Sequence, residues 1–543
     1  MSLDVGIIGC GPRGLRVLEE LLSTQENHSS GDASRISSIT IWEPSNSPGA
    51  GVNYSDDCEP TCLLNVPCRD LDLDGRPATK LHSGTIPAFS SWREWLQDQA
   101  LDCPQDVFPP RGQLGTYLNE RFRSLLDNCP SEIRLKVLPS RVDECNLAGS
   151  QWQIVAGGTE TSVDVLHVCI GHQPPKPLDL QVELQEHLGD RYLHSVYPAS
   201  QLTRHDRISS EHRVAVQGFG LSCIDAVMAM TEGRGGQFVD SPGSNGLEFP
   251  RNYSRSGAEP QGIYPYTLDG LVPVPKPATA ELDSLYRVDG CSEELRPRLN
   301  QALRDMQSGE SSSALIEVFA ELAGRVADRH PQFDQDTSTS AFANCFPSPS
   351  DHDGTPALQR LQRYRDMAYG FRPPSAEYLA GQVWRHVQRD LYDATAEVAS
   401  PEDEELVSTV LELDEGMKRL TYGPPAYQVA KLIALVEASV LSVDYLDGLE
   451  VEMRPGHVAL VTDDCEAKCD YFINSVLSGT APSSLKSPIL KTLTREGHII
   501  ARGDLGFTST KDNLHLHGRI HFDEVVGADS IHSAMDAPAL CVM

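Results

Sequence analysis

The apolar positions at the start of the chain change from a strand pattern to a helical pattern and back. Residues 4–8 form a short apolar run typical of a buried strand, and apolar residues from Leu15 to Leu22 recur at helical spacing. A polar stretch at residues 23–34 interrupts the pattern before a second strand at residues 36–42. The order strand, turn, helix, strand predicts a βαβ unit.

The same kind of unit begins again further along. An apolar run at residues 213–217 predicts a strand, and Ile224, Val227 and Met228 give the helical spacing after its turn. Between the two units the pattern predicts helices at residues 86–101 and 113–127 and strands at residues 132–138, 151–156 and 163–170. The repetition favours an α/β protein with two domains of this kind.

The remainder of the chain is helical first and strand-rich afterwards. Residues 292–440 carry mainly helical patterns, with proline-rich breaks near Pro347 and Pro373. Strand patterns then return at residues 449–453, 457–462, 470–476, 498–502 and 514–518. Because these strands resemble the sheet material of the first domain, we expect the C-terminal part to rejoin that domain around a mainly helical insertion.

The net charge narrows the choice of partners. The chain has 77 acidic and 45 basic residues and a formal charge of −32, so its average surface repels nucleic acids and anionic membranes. Adaptation to a salty environment would explain the same acid excess. We therefore predict a small-molecule substrate, with no nucleic-acid partner and no membrane partner, and a homo-oligomer stays open.

The cysteines and the apolar runs indicate a cellular compartment. The fourteen cysteines include no C-x-x-C pair, which predicts reduced thiols rather than a disulfide framework or a zinc site. The chain opens directly into a strand pattern, and no apolar run reaches the ~20 residues that span a bilayer. A cytoplasmic protein is expected.

The first strand and helix enclose a glycine motif. Gly9, Gly11 and Gly14 match G-x-G-x-x-G directly after a strand and at the start of a helix. Gly9 permits the tight turn, Gly11 lets backbone N–H groups approach a pyrophosphate, and Gly14 allows close packing of helix and strand. Glu43, at the end of the second strand, is placed to accept hydrogen bonds from the adenosine ribose. The alternative is an ordinary strand–helix turn.

The second unit carries a weaker form of the motif. Gly218 and Gly220 keep the first two glycines, Ser222 lies at the helix start, and the small residue Cys223 replaces the third glycine. This predicts a second dinucleotide site, against the alternative of an ordinary turn. Arg255, with Arg251, follows the next predicted strand, at residues 247–249, and could bind a 2′-phosphate, which favours NADPH over NADH.

Several motifs in one order give the chain a family resemblance. It resembles the FAD-NAD(P)-binding proteins related to flavin-dependent N-hydroxylating monooxygenases. The resemblance rests on residues 8–14, 42–44, 48–52, 64–67, 110–111, 218–222, 233–236 and 423–426. It implies one discontinuous FAD-binding domain at residues 1–210 and 441–543, an NAD(P)-binding domain at 211–290 and a mainly helical region at 291–440.

The resemblance also implies individual site residues. Gly49, Gly51 and Asn65 are expected along the FAD, and Pro12 and Arg13 belong to the family form of the first motif. The family often ends with Gly-Asp near the isoalloxazine, and the nearest match here is Gly518, so the chain departs from the pattern at the flavin end.

The implied activity is an FAD-dependent, NADPH-using oxidoreductase. The leading hypothesis is a monooxygenase that hydroxylates a small substrate such as an amine, because the cofactor carries the difficult chemistry. The alternatives are a flavin reductase or dehydrogenase without oxygenation and a flavin-binding regulatory or interaction protein. Arg69, Asp70 and Arg111 are candidates for the flavin end of the site. His515 and His517 alternate on one strand face, but the spacing predicts no metal site.

Overall fold

The chain forms two compact units. The computed structural model describes residues 2–25, 35–55, 57–204, 206–267, 269–288, 292–346, 354–400, 402–446, 449–476, 482–503 and 505–517. The first unit comprises Met1–Cys58, Val66–Lys176 and Ser478–Met543, and the second comprises Glu59–Asn65 and Pro177–Leu477. Each unit is therefore assembled from separate stretches of the chain.

The elements follow in chain order. The N-terminal part contains β1 (Ser2–Ile8), α1 (Pro12–Thr24), β2 (Arg35–Trp42), β3 (Thr79–Leu81), β4 (Gly84–Ile86), α2 (Trp92–Asp98), α3 (Arg111–Asn128), β5 (Arg134–Leu138), β6 (Val142–Ala148), β7 (Gln151–Ala156), β8 (Thr159–Val163) and β9 (Val165–Val168). The central part contains α4 (Asp179–Leu188), β10 (Tyr192–Leu193), β11 (Arg213–Gln217), α5 (Leu221–Met230), β12 (Gln237–Pro242), β13 (Glu248–Ser254), β14 (Gly262–Tyr266), α6 (Ala280–Ser284), α7 (Ser292–Gln307), α8 (Ser313–Arg329), α9 (Thr339–Ala343), α10 (Ala357–Ala368), α11 (Ala376–Val398), α12 (Glu404–Thr421), α13 (Ala426–Glu437), β15 (Glu450–Arg454), β16 (His457–Val461), β17 (Glu466–Cys469) and β18 (Tyr471–Asn474). The C-terminal part contains α14 (Pro488–Arg495), β19 (Ile499–Arg502), β20 (Gly506–Ser509) and β21 (Leu514–Leu516).

The first unit is built on a 5-stranded parallel sheet in the order β21-β9-β1-β2-β5. Ile8 at the end of β1 pairs with Trp42 and with Val168, so neighbouring strands end at one edge of the sheet. Helix α1 buries Leu15, Leu18 and other apolar residues on one face. The predicted N-terminal βαβ unit is confirmed, and β21 shows that the C-terminal part returns to this sheet.

The core of the first unit lies between the parallel sheet and a smaller antiparallel sheet, β6-β7-β8. Trp42 and Leu166 from the parallel sheet pack with Trp152 from β7, and all of them are almost fully buried. Each large side chain buried in this way stabilises the fold by about 1.5–3 kcal/mol. The first sheet is thus held firmly, and with it the edge at which β1 and β2 end.

The second unit contains a 4-stranded parallel sheet in the order β10-β18-β11-β14. The predicted strand at residues 247–249 lies instead in the antiparallel hairpin β12-β13, and β14 is the parallel neighbour of β11. Pro265 in β14 hid this strand from the sequence pattern. Proline is tolerated there because β14 is an edge strand.

Other predictions are confirmed or corrected by the element bounds. Helices α7 to α13 occupy the region predicted to be mainly helical. The strands predicted after residue 440 belong to both units. β18 joins the sheet of the second unit, and β19 to β21 belong to the first unit. The helix predicted from residue 86 begins at Trp92, because Pro87 disfavours an earlier start and Ser91 caps the helix by accepting from the N–H of Glu94.

The fold class is confirmed as α/β, with two Rossmann-like sheets, a discontinuous first unit and a mainly helical insertion. The unit boundaries fall at other positions than the predicted domain limits of 210, 290 and 440. Which nucleotide each domain binds stays a prediction. No described helix has the length and apolar character needed to cross a membrane.

One cysteine pair departs from the expectation of reduced thiols. Cys68 and Cys103 form a disulfide with Cα atoms 6.2 Å apart, inside the range such bonds span. The prediction of reduced cysteines is wrong for this pair, because the segment before α2 that carries Cys68 is hydrogen-bonded to the segment after α2 that follows Cys103, through the N–H of Cys68 and the carbonyl oxygen of Val107 at 2.8 Å. Cys10, Cys145 and Cys223 are buried free thiols.

Candidate nucleotide-binding sites

The turn after β1 requires glycine at both ends. Gly9 has φ +90°, and a Cβ on it would lie 2.4 Å from the carbonyl oxygen of Cys169. A Cβ on Gly14 would lie 2.2 Å from the carbonyl oxygen of Gly9. Both distances are far inside van der Waals contact, so these glycines hold strand and helix together as predicted.

Gly11 faces a more open space. A Cβ on it would meet only the Cα of Gly51, at 3.8 Å, within 4 Å. Gly11 is the N-cap of α1 and Pro12 is its first residue, followed by the half-buried Arg13. Gly11 has no side chain to cover the first helical amides, so the positive end of the helix dipole is presented at this turn.

Glu43 lies against the same turn. Its carboxylate is buried and accepts hydrogen bonds from the N–H of Cys10 at 2.6 Å and from the N–H of Ser45 at 2.8 Å. An ionised carboxylate can accept about four hydrogen bonds, so further acceptor capacity remains for sugar hydroxyls. The residues present therefore fit the adenosine diphosphate end of FAD.

The segment predicted to follow the cofactor also reaches the turn. The N–H of Gly49 donates to the carbonyl oxygen of Cys10 at 2.6 Å, and Gly49 and Gly51 both have positive φ. A Cβ on Gly51 would come within 3.1 Å of the Cα of Gly11. The structure thus brings together Gly9, Gly11, Gly14, Glu43, Gly49 and Gly51.

Other predicted residues are placed elsewhere or bonded otherwise. Asn65 belongs to the second unit, where its side-chain amide donates to the carbonyl oxygen of Tyr422 at 3.2 Å. Arg69 forms an ion pair with Asp106 at 2.5 Å and lies 3.6 Å from Asp70. Arg111 is buried at the start of α3. Gly518 lies outside the described residues. The roles of these residues stay predictions.

The turn after β11 repeats the first one. Gly218 has φ +96°, and its N–H donates to the carbonyl oxygen of Tyr266 at 2.8 Å. In the first turn, the N–H of Gly9 donates in the same way to the carbonyl oxygen of Trp42 at 2.9 Å. Gly220 is the N-cap of α5, and a Cβ on it would meet no described atom within 4 Å. The backbone is therefore open to a ligand at this helix start.

Two loops near this second turn carry polar side chains that the sequence pattern does not identify. The hydroxyl of Ser475, after β18, donates to the carbonyl oxygen of Gln217 at 2.6 Å. The hydroxyl of Tyr197, after β10, donates to the carboxylate of Asp225 at 2.6 Å and lies 3.4 Å from Oγ of Ser222. The carboxyl ends of parallel strands meet at one sheet edge, a rule that identifies these loops once the strand order is known.

Arg255 occupies a different part of the second unit. Its guanidinium donates to the carbonyl oxygen of Ser439 at 2.7 Å. The next residue, Val440, accepts from the N–H of Ile263 near the amino end of β14. Ligands of parallel sheets bind at the carboxyl edge, so this position does not support a phosphate-binding role for Arg255.

The thiols within the two glycine turns are unreactive. Burial raises the pKa of Cys10 to about 12 and raises that of Cys223 as well. Both thiols therefore stay protonated near neutral pH and are poor nucleophiles. What the two turns offer to a ligand is therefore their backbone and not a reactive thiol.

A histidine cluster lies in the first sheet. Nδ1 of His167 on β9 is 3.0 Å from Nε2 of His517, and the His167 ring stacks on His515 with centroids 4.7 Å apart. Burial, together with both neighbouring histidines, holds the pKa of His167 well below its usual value. No group of metal-ligating side chains suited to a metal ion occurs among the described residues.

Comparison with known proteins finds two similar enzymes. Nitrosuccinic acid synthase of Aspergillus oryzae is 28% identical over 261 residues, which are 47% of this chain and 39% of that protein. A nitrosuccinate-forming L-aspartate N-monooxygenase of Streptomyces cremeus is 25% identical over 574 residues, covering 91% of this chain and 83% of that protein. The match to the fungal protein thus spans well under half of its length.

The similarity to one solved structure extends over nearly all of this chain and of the other. L-lysine 6-monooxygenase from Pseudomonas syringae is 12% identical with a TM-score of 0.43, covering 99% of this chain and 98% of that chain. Residues 6–173, which contain the first glycine turn and Glu43, match the model of a family described as FAD-NAD(P)-binding. Over these residues the chain is similar to that family.

Proposed function

We propose that the protein is an FAD-dependent, NADPH-using monooxygenase that hydroxylates the amino group of a small substrate. The observation that carries the proposal is the pair of glycine turns, each at the carboxyl edge of its own parallel sheet and each opening a helix. Two such turns suit two dinucleotides, and a flavin with a reduced nicotinamide is the pair that such oxidoreductases combine.

The first unit would hold FAD. The turn at Gly9, Gly11 and Gly14 offers backbone N–H groups and the helix dipole to the diphosphate, and Glu43 offers acceptors to the ribose. Gly49 and Gly51 keep the facing loop close to the turn without side chains in the way. Pro12, Arg13, Arg69, Asp70 and Arg111 of the same unit are proposed as further contacts.

The second unit would hold NADPH. Gly218 shapes the turn, Gly220 leaves its backbone uncovered, and Ser222 adds a hydroxyl in the first turn of α5. When bound, FAD supplies electron transfer and reaction with oxygen, for which protein side chains have no equivalent. The protein binds and orients the nucleotides and keeps Cys10 and Cys223 protonated.

The substrate is proposed to be an amino acid, with L-aspartate as the first compound to test. Two relatives carry names that refer to nitrosuccinate, and one of them is an L-aspartate N-monooxygenase. The helical region at residues 291–440 would select the substrate. The charge of −32 argues against nucleic acid as a partner, and we propose a cytoplasmic enzyme that acts on a small molecule.

The proposed function is tested by measuring how much NADPH and oxygen are consumed and which product forms. The full chain, loaded with FAD, is mixed with NADPH, oxygen and L-aspartate, and oxygen uptake, NADPH oxidation and product mass are followed together. Hydroxylation of the amine places one oxygen atom in a new N–O bond, releases the other as water and consumes the two electrons of NADPH. The expected result is equal consumption of NADPH and oxygen with an N-oxygenated product.

Other outcomes favour the alternatives. NADPH oxidation that yields only hydrogen peroxide, with every tested amine unchanged, would identify a flavin reductase. Bound FAD that NADPH never reduces would identify a flavin-binding interaction protein.

A further inference from the structure

The two glycine turns define corresponding positions in the two units. In the first, the N–H of Gly9 donates to the carbonyl oxygen of Trp42, the last residue of β2. In the second, the N–H of Gly218 donates to the carbonyl oxygen of Tyr266, the last residue of β14. Both acceptor strands are parallel neighbours of the strand before the turn. The next residue is therefore the equivalent one, Glu43 in the first unit and Thr267 in the second.

This equivalence places an uncharged residue where the first unit has a carboxylate. The side chain of Thr267 is buried, and its hydroxyl donates to the carbonyl oxygen of Leu446 at 3.2 Å. An acid at this position accepts from both hydroxyls of an unmodified ribose and repels a 2′-phosphate. Thr267 removes that repulsion in the second unit.

The loop after Thr267 lies against a buried arginine. The guanidinium of Arg360 on α10 donates through Nη2 to the carbonyl oxygen of Gly270 at 2.8 Å. The residue is 4% exposed, and its Nε and Nη1 have no hydrogen-bond partner in the described part of the chain. Arginine keeps its charge under all ordinary conditions, so a positive charge lies beneath this loop.

The loop's own carboxylate is paired with a different arginine. Both oxygens of Asp269 accept from Nη2 of Arg419, at 2.8 and 3.1 Å. Arg360 is therefore a second positive charge at this loop. In a buried setting of low dielectric, the field of such a charge is weakened far less than in water.

We propose that Thr267 and Arg360 make the second site select a dinucleotide that carries a 2′-phosphate. Thr267 has no carboxylate to repel the 2′-phosphate. Arg360 attracts the 2′-phosphate through its positive charge beneath the loop at Gly270. The inference rests on the proposed function, because it assigns the nicotinamide nucleotide to the second glycine turn. It replaces Arg255 as the source of NADPH preference.

Binding of two adenosine fragments tests the proposal without turnover. The FAD-loaded full chain is titrated calorimetrically with adenosine 2′,5′-bisphosphate and with 5′-AMP, which differ only in the 2′-phosphate. The wild type is expected to bind the bisphosphate at least about tenfold more tightly, the effect of a well-placed cation on a phosphate. Equal affinity of the wild type for the two fragments would overturn the proposal.

Variants assign the effect to the two residues. Thr267→Glu is expected to abolish the preference, Arg360→Met to reduce it severalfold, and Arg360→Lys to retain it because the charge remains. Arg363→Met removes an arginine one turn further along α10 and is the matched control, with an unchanged ratio expected. Wild-type ratios in both Thr267→Glu and Arg360→Met would contradict the assignment.

The fragment titrations and the hydroxylation assay can give opposite results. If Arg360→Met does not fold, the wild-type ratio and Thr267→Glu still decide. Selective binding of the bisphosphate by a protein that hydroxylates no amine would contradict the proposed function only. Amine hydroxylation by a protein that binds both fragments equally would contradict the inference only.

Discussion

The N–H of Cys10 donates a hydrogen bond of 2.6 Å to the carboxylate of Glu43, 33 residues further along the chain. The bond ties the turn after β1 to the end of β2 inside the first sheet. Because the pair is buried, the carboxylate both shapes the turn and keeps acceptor capacity for a bound sugar. Glu43 therefore stabilises the turn, and under the proposed function the same carboxylate binds FAD.

Glu43→Ala is expected to weaken FAD binding at least about tenfold and to lower the free energy of unfolding by about 1–3 kcal/mol, because the buried N–H of Cys10 loses its acceptor. Fluorescence titration with FAD and chemical denaturation measure the two effects. Glu20→Ala is the control, since Glu20 pairs with Arg16 on the exposed side of α1. FAD affinity unchanged in Glu43→Ala would remove Glu43 from the site.

Gly11→Ala and Gly14→Ala are expected to fail in different ways. A methyl group added at Gly11 has room in the protein, whereas one added at Gly14 would overlap the carbonyl oxygen of Gly9. Gly11→Ala is therefore expected to keep the melting temperature within about 3 °C while FAD affinity falls about tenfold or more, because the backbone can no longer approach the diphosphate. Gly14→Ala is expected to prevent folding. Circular dichroism and FAD titration distinguish the two, and equal behaviour of both variants would contradict the geometry of the turn.

Gly220→Ala is expected to weaken the binding of NADPH and to leave the binding of FAD unchanged. A Cβ at this position meets no described atom within 4 Å, so the fold and the bound FAD should be retained. The added methyl group covers the start of α5 and should raise the dissociation constant for NADPH about tenfold or more. Stopped-flow reduction of the flavin at increasing NADPH concentration measures this constant. A normal constant for NADPH would place the second nucleotide elsewhere.

The histidine cluster predicts a pH dependence of stability. The pKa of His167 is lowered in the folded protein by burial and by its histidine neighbours, so the unfolded chain binds its proton more readily. The free energy of unfolding should therefore fall as pH drops below the unfolded value near 6.5, by up to about 1.4 kcal/mol per pH unit for this one proton. At higher pH this contribution is fully present.

His167→Gln should make that slope shallower, and His82→Gln, at an exposed position, should leave it unchanged. Urea denaturation at pH 7, 6 and 5 measures the slopes. The same slope in the wild type and in His167→Gln would show that other groups cause the acid sensitivity.

The first site could be predicted from sequence because its parts are close together along the chain and follow a known order. Gly9, Gly11 and Gly14 stand between a clear strand and a clear helix, and the strand that follows ends directly before Glu43. A local pattern of this kind predicts the structure reliably, because the residues that form the turn also form the contacts between its strand and its helix. In the structure Glu43 lies against the turn and accepts a hydrogen bond from the N–H of Cys10, and its role in binding the ribose stays a prediction.

The second site could be predicted only in part. Its glycine turn is local and was found, but the hairpin β12-β13 separates it from β14, and Pro265 conceals that strand. The equivalence of Thr267 and Glu43 depends on a strand pairing that no local pattern reveals. Arg360 joins the same loop from a helix 90 residues away in sequence, which only the folded chain can show.

The central claim is that one chain holds FAD at the first glycine turn and receives electrons from NADPH at the second. The most direct measurement is the visible spectrum of the purified full chain, recorded before and after anaerobic addition of NADPH and again after air is admitted. The account predicts a bound flavin spectrum that NADPH bleaches and air restores. A protein that binds no flavin, or a bound flavin that NADPH leaves oxidised, would contradict it.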